Sequence, residues 1–403
     1  MTAPNFAPPH RDSYDVILIG GAMYGSSVAW WLTHLGFDGR ILVIERDPSY
    51  AMCSTAHTNS CIRQQFSNEV NVRISQFGAD FVQNMRDHMG DPQVPNLPIQ
   101  SFGYMYMAET EAQAENLKQA QVVQAACGAG TRHMTAAEIK AAYPFYNTDD
   151  IIAGNHNLID EGYFDGGTVF DWFRKGARAG GVEYVANEVT GLTLNAAGTQ
   201  VTGVTLATGQ VIACGTVVNA AGPRAARVAA MAGIPLPVEP RKRFTFVFAA
   251  AQRLDRDLPL TIDPSGVHMR SDGLYYMAGC PPDDDAAVDA DDFAPDYSIW
   301  ENKVWPVLAH RVPQFEQIKL VNEWVGHYAF NTLDQNAILG PHPEVSNFIF
   351  VNGFSGHGLQ QSPAIGRGTA EMIIHGAYRS LDLTSFHFDR IAQGAGFVEK
   401  AII

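Results

Sequence analysis

One stretch near the start of the chain, Asp15–Leu32, constrains the fold more than any other. Its first part, Val16–Ile19, is a short apolar run rich in β-branched residues, which is typical of a buried parallel strand. A glycine-rich turn, Gly20–Gly25, follows at once, and the next apolar residues recur at helical spacing as far as Gly36. Strand, tight turn and helix in this order predict a dinucleotide-binding βαβ unit, in which a pyrophosphate lies at the N-terminus of the helix.

A second apolar strand, Arg40–Ile44, ends in an acidic residue, Glu45. This acid follows Gly25 at about 20 residues, the distance at which such units place the carboxylate that accepts from a ribose hydroxyl. The middle glycine of the usual G-x-G-x-x-G pattern is Ala22, whose methyl group would shift the pyrophosphate slightly without preventing its binding. An ordinary α/β turn without a ligand is the alternative, but the strand, the helix and Glu45 together favour a bound dinucleotide.

Length, composition and charge limit the remaining classes of protein. At 403 residues the chain is long enough for two or three domains, and 46% hydrophobic with 17% charged residues is typical of a soluble globular protein. The net charge of −15 argues against nucleic acid and anionic membrane surfaces as partners. No apolar run approaches the ~18 residues of a transmembrane helix, and the proline-rich residues 1–12 lack the apolar core of a secretory signal.

The five cysteines are widely spaced, and none forms a C-x-x-C pair, so neither a disulfide framework nor a metal site is predicted. Reduced thiols and the lack of a secretory signal favour a cytoplasmic location. An acidic run between Asp283 and Asp292 is interpreted as a solvated loop rather than a cation site.

In two later segments of the chain, an apolar strand is again followed by a turn made of small residues. In Thr216–Pro223 the turn contains two alanines and a glycine, and Asn347–Asn352 leads into Gly353–Gly358, which opens a helix to about His375. Small residues at such a turn allow the backbone to approach a ligand closely. The second glycine-rich helix start is far from the first in sequence, so two parts of the chain are predicted to meet at one ligand.

The alternation of these segments with strand-rich and helical inserts predicts a discontinuous organisation. The predicted units are a disordered arm at 1–12, a dinucleotide-binding domain at 13–95, 150–235 and 330–390, a substrate domain at 96–149 and 236–329, and a tail at 391–403.

Taken together, the motifs resemble the D-amino-acid-oxidase-like flavoproteins, a family that includes glycine oxidase, sarcosine oxidase and dimethylglycine oxidase. The likeness covers nearly the whole chain after residue 12. Longer stretches are similar to a mitochondrial branch of the family that is associated with assembly of respiratory complex I, and they lie at 60–67, 236–244, 303–316, 324–343 and 353–367. The motifs that carry the family resemblance are Gly20–Gly25, Glu45-Arg46, Val217–Gly222, Trp324–Gly326, Asp334 and Gly353–Gly358.

The resemblance implies an α/β (α+β) fold, in which a Rossmann-like FAD-binding βαβ domain is combined with a β-sheet-rich substrate domain of the glycine oxidase and sarcosine oxidase type. The cofactor is then FAD, with its flavin ring between the two domains. The helix that begins near Gly358 would direct N–H groups at the flavin, where they stabilise the negative charge that appears on reduction. The residues expected to contact FAD are Gly20, Gly21, Ala22, Met23, Tyr24, Gly25, Glu45, Arg46, Ser54, Thr55, Ser60, Cys61, Val189, Ala220, Ala221, Gly222, Gly353, Phe354, Ser355, Gly356, His357, Gly358, Leu359 and Gln360.

Three departures from the family pattern concern the cofactor and the substrate. Sarcosine oxidases attach FAD through a cysteine in the segment that here reads Gly326-His327-Tyr328, and no cysteine follows Cys280, so FAD is expected to be non-covalent. The lysine that binds a substrate carboxylate in sarcosine oxidases is replaced by Gln360. The arginine that serves glycine oxidases is replaced by His327 or Tyr328.

The candidates for substrate binding and catalysis follow from the same comparison. Arg63 corresponds to a carboxylate-binding arginine of sarcosine oxidase, and a structural ion pair is the equally favoured alternative. Arg270, in a strand of the predicted substrate domain, is the second candidate. One of His327 and Tyr328 is expected to face the pocket, because strand neighbours point to opposite sides. Gln360, at the lysine position, completes the set.

The histidines are expected to have mainly structural roles. His357 is interpreted as a turn residue whose backbone matters more than its ring. His268, His310 and His342 are interpreted as structural.

The family reaction is hydride transfer from the carbon next to an amine to flavin N5, which gives an imine. The resemblance therefore implies an enzyme that oxidises the C–N bond of an amino acid or secondary amine, with oxygen or another carrier as the electron acceptor. The strand at 273–279 lacks the lysine that sarcosine oxidases keep beside the flavin, which favours a dehydrogenase. Two alternatives stay open: a flavin-containing assembly or partner-binding protein, and an FAD-dependent 2-hydroxy acid dehydrogenase.

Overall fold

A computed structural model describes residues 6–401 of the chain. Its strands are β1 Ser13–Ile19, β2 Ile41–Glu45, β3 Cys61–Ile62, β4 Tyr104–Ala108, β5 Arg132–Thr135, β6 Ala153–Asn157, β7 Gly162–Tyr163, β8 Glu183–Ala186, β9 Val189–Leu194, β10 Val201–Leu206, β11 Val211–Asn219, β12 Val238–Ala250, β13 Leu260–Ile262, β14 His268–Asp272, β15 Tyr275–Cys280, β16 Ile318–Asn331, β17 Ile338–Pro341 and β18 Phe348–Asn352. Its α-helices are α1 Met23–His34, α2 Glu69–Gln83, α3 Met85–Met89, α4 Glu111–Ala126, α5 Ala136–Ala142, α6 Gly166–Ala179, α7 Ala225–Ala230, α8 Trp305–Arg311, α9 Gly358–His375 and α10 Asp389–Ala392.

The first sheet has the order β17-β18-β11-β1-β2-β8, and the hairpin β9–β10 extends from β11. The four pairings from β18 through β11, β1 and β2 to β8 are parallel. Val16 and Leu18 face a core shared with α1, α6 and α9, whereas Ile17 and Ile19 face a second core on the α7 side. Because both faces are covered, the strands read as continuous apolar runs.

The second sheet has the order β16-β12-β15-β14-β13-β4-β6-β5. All of its pairings are antiparallel except that of β13 with β4. On β12, Phe244, Phe246 and Phe248 alternate along the strand and enter one buried cluster with Trp300. This alternation places the intervening residue Thr245 on the opposite face of the sheet.

The predicted fold class is confirmed: a parallel sheet begins with strand, glycine turn and helix, and a separate, mostly antiparallel sheet lies beside it. The domain boundaries stay predictions, and one strand lies across a predicted limit. β6 falls after residue 150 but pairs with β4 and β5 in the second sheet.

The predicted arm is ordered where the structure describes it. The Ala7 N–H donates to the Ala186 oxygen at 2.9 Å, and the Asp12 oxygen accepts from Ala213 N–H at 2.8 Å. Residues 6–12 are therefore not loose, because Ala7 bonds to the end of β8 and Asp12 continues the pairing of β1 with β11. Residues 1–5 lie outside the described part. Within residues 6–401 no helix is long and apolar enough to cross a bilayer.

Candidate functional site

A cavity of about 990 Å³ runs between the carboxyl ends of the parallel strands and the second sheet. The glycine turn after β1 lines one part, and the turn before α9 lines another. This is the edge at which open α/β sheets bind ligands. A cavity of this size, bordered by two turns that precede helices, has room for a dinucleotide.

The turn after β1 is built to bring the backbone close to a ligand. Gly20 has a positive φ of +98°, and a Cβ atom added there would lie 2.5 Å from the Ala220 main-chain oxygen. A Cβ atom at Gly25 would overlap the Gly20 oxygen, so this glycine permits the close packing of α1 on the turn. α1 has no side-chain cap and no acidic residue in its first turn, which leaves its positive N-terminal end suited to an anion.

Glu45 lines the cavity at the end of β2 and already holds the turn in shape. Its Oε2 accepts from Gly21 N–H at 2.8 Å, and its Oε1 accepts from Asp47 N–H at 2.8 Å. Burial raises the pKa of Glu45 above its ordinary value. Each carboxylate oxygen has a further lone pair, so contact with a ribose hydroxyl stays compatible with these bonds.

The turn before α9 forms the other part of the wall. Phe354 stacks on Tyr24 with ring centroids 3.9 Å apart, and the Tyr24 hydroxyl donates to the Gly358 oxygen at 2.6 Å. α9 begins at Gly358 with no side-chain cap, and a Cβ atom at Gly356 would overlap the ring of Tyr328. These contacts bring the N-termini of α1 and α9 together on one cavity.

The ring of His357 lies at this turn and is buried. Neither of its nitrogens has a hydrogen-bond partner among residues 6–401. Burial lowers the pKa of His357 to about 3, so the ring is neutral at physiological pH. The two nitrogens are buried without partners in a residue that lines the cavity, an arrangement that native proteins rarely leave unsatisfied.

Most of the predicted FAD contacts line the cavity, and three do not. Gly21, Gly25 and Gly353 lie behind the wall, where they serve the conformation and packing of the turns rather than direct contact. The predicted contacts that line the cavity are Gly20, Ala22, Met23, Tyr24, Glu45, Arg46, Ser54, Thr55, Ser60, Cys61, Val189, Ala220, Ala221, Gly222, Phe354, Ser355, Gly356, His357, Gly358, Leu359 and Gln360.

Arg63 is a buried cation in the cavity wall, with 5% of its surface exposed. Its Nη2 donates to the Ala401 main-chain oxygen at 2.5 Å, and its guanidinium lies 4.4 Å from the centroid of the Phe66 ring. Its Nε has no partner, and no salt bridge joins Arg63 to an acid within the described residues. The structural ion pair considered as its alternative role is therefore not found between residues 6 and 401.

Arg270 does not line the cavity, which corrects its assignment as a second substrate arginine. Its Nη1 donates to Asp272 Oδ1 at 2.8 Å and to the Ser271 oxygen at 2.8 Å. Its Nη2 donates to the Asn59 oxygen at 3.2 Å. The guanidinium is thus neutralised by an acid two residues away and has a structural role in β14.

Both His327 and Tyr328 line the cavity, although only one was expected to do so. The His327 ring stacks on Phe293 at 4.3 Å, and its Nε2 lies 2.8 Å from the Asp292 oxygen. The Tyr328 ring packs under the Gly356 turn. Tyr328 is therefore the neighbour whose ring faces the α9 end, while His327 fixes the loop that covers the rim.

The acidic run is ion-paired rather than simply solvated. Arg243 binds Asp285 with its Nη1 at 2.7 Å from Oδ1, and Arg227 binds Asp289 at 2.7 Å. Asp291 contacts Arg224. Arg224, Arg227 and Arg243 line the cavity, so the loop closes the rim by charge pairing that sequence alone did not indicate.

Sequence reasoning missed several residues that the second sheet brings to the cavity. His268 lines it, which corrects the purely structural assignment; its Nε2 lies 3.1 Å from Asn59 Nδ2, and burial lowers its pKa to about 4. Asn59 Oδ1 also accepts from the Thr245 hydroxyl at 3.3 Å. The alternation of phenylalanines along β12 was the one sequence feature that could have indicated that Thr245 faces away from the buried cluster.

The fold and the site define a class: a two-sheet dinucleotide-binding protein whose ligand cavity lies between the sheets. Residues 15–372 match the family described as DAO, FAD dependent oxidoreductase, and the chain belongs to this family. It is an FAD-dependent oxidoreductase by descent, and the glycine turns, Glu45 and the two open helix N-termini fit the cofactor.

Relatives and solved structures agree with this assignment. The chain is 37% identical over 430 residues to FAD-dependent oxidoreductase domain-containing protein 1 of Xenopus laevis, which covers 98% of this chain and 86% of that protein. It is 25% identical over 397 residues to human mitochondrial sarcosine dehydrogenase, covering 94% and 42%. The fold is similar to L-proline dehydrogenase from P. horikoshii, with a TM-score of 0.81, 24% identity and coverage of 95% and 99%.

Proposed function

We propose that the protein oxidises the C–N bond of a small amine that carries a carboxylate, such as an N-alkyl or cyclic amino acid. A hydride leaves the carbon next to nitrogen, the nitrogen gives up a proton, and the product is an imine. FAD supplies the two-electron acceptor for the hydride when it is bound. Every other contribution described below comes from residues of this chain.

The observation that carries the proposal is the state of Arg63. A buried guanidinium without a paired acid is costly, because a charge in the interior requires a counter-charge. A substrate carboxylate provides that counter-charge in a planar geometry that a guanidinium matches with two parallel hydrogen bonds. Relatives named for sarcosine and for L-proline support a ligand of this class.

The distribution of acids in the cavity supports binding of the substrate with its amine in the neutral form. Among the described lining residues the acids are Glu45, Asp47, Glu188 and Asp291, and they lie by the first glycine turn and the rim loop. Among residues 6–401, the part lined by Arg63, Tyr104, Tyr328 and Gln360 has no lining acid to hold an ammonium ion. A nearby cation lowers the pKa of an amine, and the neutral amine is the form that donates hydride.

Neither buried histidine of this part is suited to act as a base that titrates near neutrality. Burial lowers the pKa of His268 to about 4 and that of His357 to about 3. Both rings are therefore neutral hydrogen-bonding groups in the physiological range. Catalysis is then mainly positioning of the C–H bond, which contributes several kcal/mol, roughly 7–11 in well-oriented cases.

The test is anaerobic reduction of the FAD-loaded protein by matched substrate panels. N-alkyl amino acids, cyclic imino acids and primary amino acids should bleach the visible flavin band, whereas amines of similar size without the carboxylate should bleach it much more slowly. Bleaching by 2-hydroxy acids alone would replace the proposal with hydroxy acid oxidation. If no panel bleaches the band, the assembly or partner-binding role takes precedence.

A further inference from the structure

A short segment near the end of the chain, Phe397–Ala401, packs behind Arg63. The Ala401 oxygen accepts from Arg63 Nη2 at 2.5 Å, and Ala401 packs against the cluster that contains Tyr104 and Tyr106. A carbonyl oxygen is a hydrogen-bond acceptor without net charge. This contact therefore fixes the guanidinium in place and leaves its positive charge available.

Two buried acids hold the segment: Asp334, whose Oδ2 accepts from Phe397 N–H at 2.9 Å, and Glu399, which is fully buried. Glu399 makes the contacts next to Arg63. Its Oε1 accepts from Ser67 N–H at 2.8 Å and from Ala401 N–H at 2.9 Å. Its Oε2 accepts from Asn71 Nδ2 at 2.9 Å. Because both oxygens are already engaged by neutral donors, Glu399 orders the segment without forming a salt bridge to Arg63 within the described residues.

We propose that Phe397–Ala401 is a positioning segment of the substrate site. It holds one edge of the Arg63 guanidinium through the Ala401 carbonyl, so that the remaining N–H groups present an unneutralised charge to a small monocarboxylate. The observation that supports an open edge on Arg63 is that Nη1 makes no hydrogen bond within residues 6–401 and is not among the fully buried atoms, whereas Nε is buried without a partner. The inference rests on the proposed function only in taking Arg63 as the carboxylate-binding group.

An acidic side chain at position 401 provides the sharpest test, with its neutral isostere as the control. Ala401→Asp places a carboxylate on the residue whose carbonyl already contacts Arg63, so it should pair with the guanidinium and compete with a bound anion. Ala401→Asn has the same shape without the charge. The probe is benzoate, with benzamide as its uncharged counterpart, and binding is read from the change in the flavin absorbance of the FAD-loaded protein.

We expect Ala401→Asp to weaken benzoate at least about tenfold, equivalent to about 1.4 kcal/mol, with benzamide unchanged. Ala401→Asn should bind both probes nearly as the original protein does. Glu399→Gln puts an amide where Asn71 and Ser67 donate, which should loosen the segment and weaken benzoate alone. Lys118→Ala, at an exposed position of α4 outside the segment, should change neither probe.

The proposal is overturned if the original protein does not bind benzoate, if Ala401→Asp and Ala401→Asn behave alike, or if benzoate and benzamide weaken together. Should Ala401→Asp fail to fold, Glu399→Gln provides the test instead, because the proposal requires that it weaken benzoate and leave benzamide unchanged. Because turnover is not measured, the absence of any oxidised amine would refute the proposed reaction while leaving this anion test intact.

Discussion

The Arg63 main-chain N–H donates to Gln360 Oε1 at 2.6 Å, which joins the start of the Arg63–Phe66 segment to the first turn of α9. The Gln360 side chain is thus a hydrogen-bond acceptor for the backbone of the buried arginine. One residue positions the other.

Gln360→Ala should destabilise the protein and disturb the anion site. A buried N–H left without an acceptor costs about 1–3 kcal/mol, so chemical denaturation should show a loss of that order in the free energy of unfolding. Gln360→Glu keeps the acceptor, so its loss of stability should be smaller, yet its negative charge should weaken benzoate binding more. Equal stability losses in the two variants would contradict the proposed role of the side-chain oxygen.

Arg63 and Arg270 should respond differently to substitution. Arg63→Lys should lower the rate of anaerobic flavin reduction by carboxylate-bearing amines nearly as much as Arg63→Ala, because a point charge does not reproduce the planar fork. Rates with a neutral amine analogue should change much less. Arg270→Lys, which keeps a cation beside Asp272, is the matched control and should not discriminate between the two substrates. Discrimination by Arg270 instead would restore it as the substrate arginine.

The parts of the fold predicted correctly depend on short stretches of sequence. The strand–turn–helix after Asp15 and the strand before α9 can be recognised because apolar period, glycine position and helix start all lie within about 20 residues. Most of the residues that the family resemblance implied as FAD contacts lie on these turns and line the cavity. The local pattern itself predicted the strand–turn–helix units and a dinucleotide at the first of them.

The substrate side could not be predicted in the same way because its residues depend on long-range contacts. Arg63 and Arg270 look alike in sequence, and what separates them is the pairing of Arg270 with Asp272, against the Ala401 carbonyl beside Arg63. His268 lies on β14, and it reaches the cavity only because β14 pairs with β15, which in turn pairs with β12. Which strands pair, and in what register, is set by tertiary packing.

Glu45→Gln should weaken FAD binding more than it changes any property that depends on the substrate. A charge-assisted hydrogen bond to a ribose hydroxyl is worth roughly 1.5–3 kcal/mol, which corresponds to about a ten- to hundredfold rise in the Kd of FAD. The variant also loses one of the two acceptors that hold the Gly21 and Asp47 N–H groups. Kd should be measured by fluorescence on dilution; an unchanged value would show that the glycine turn does not bind the adenosine part of FAD.

FAD should be released without breaking a covalent bond. No cysteine lies between Cys280 and the end of the chain, and the histidine of the Gly326–Tyr328 segment, His327, has its Nε2 2.8 Å from the Asp292 oxygen. Precipitation with acid should leave a colourless protein pellet and a yellow supernatant. A yellow pellet would contradict the prediction, and in that case His327→Ala should restore release if histidine is the attachment point.

Glu161 should make the protein less stable as the pH rises, the opposite of the usual effect of a carboxyl group. It is fully buried, and burial raises its pKa from 4.5 to about 7 even though it accepts from Gln65 Nε2 at 2.8 Å and Gln64 N–H at 2.7 Å. Between these two pH values the unfolded carboxyl has lost a proton that the folded one retains. The free energy of unfolding should therefore fall as pH rises from 4.5 to 7, by about 3 kcal/mol from this group.

Glu161→Gln removes this dependence, because an amide binds no proton in either state. The difference in unfolding free energy between the variant and the original protein should change across pH 4.5 to 7 and level off above it. Glu115→Gln, at an exposed position of α4, is the control for loss of one carboxylate and should give a nearly flat difference. A flat difference for Glu161→Gln as well would mean that the buried carboxyl ionises at the same pH in both states. The Gln64 and Gln65 hydrogen bonds would then fully offset the cost of burial.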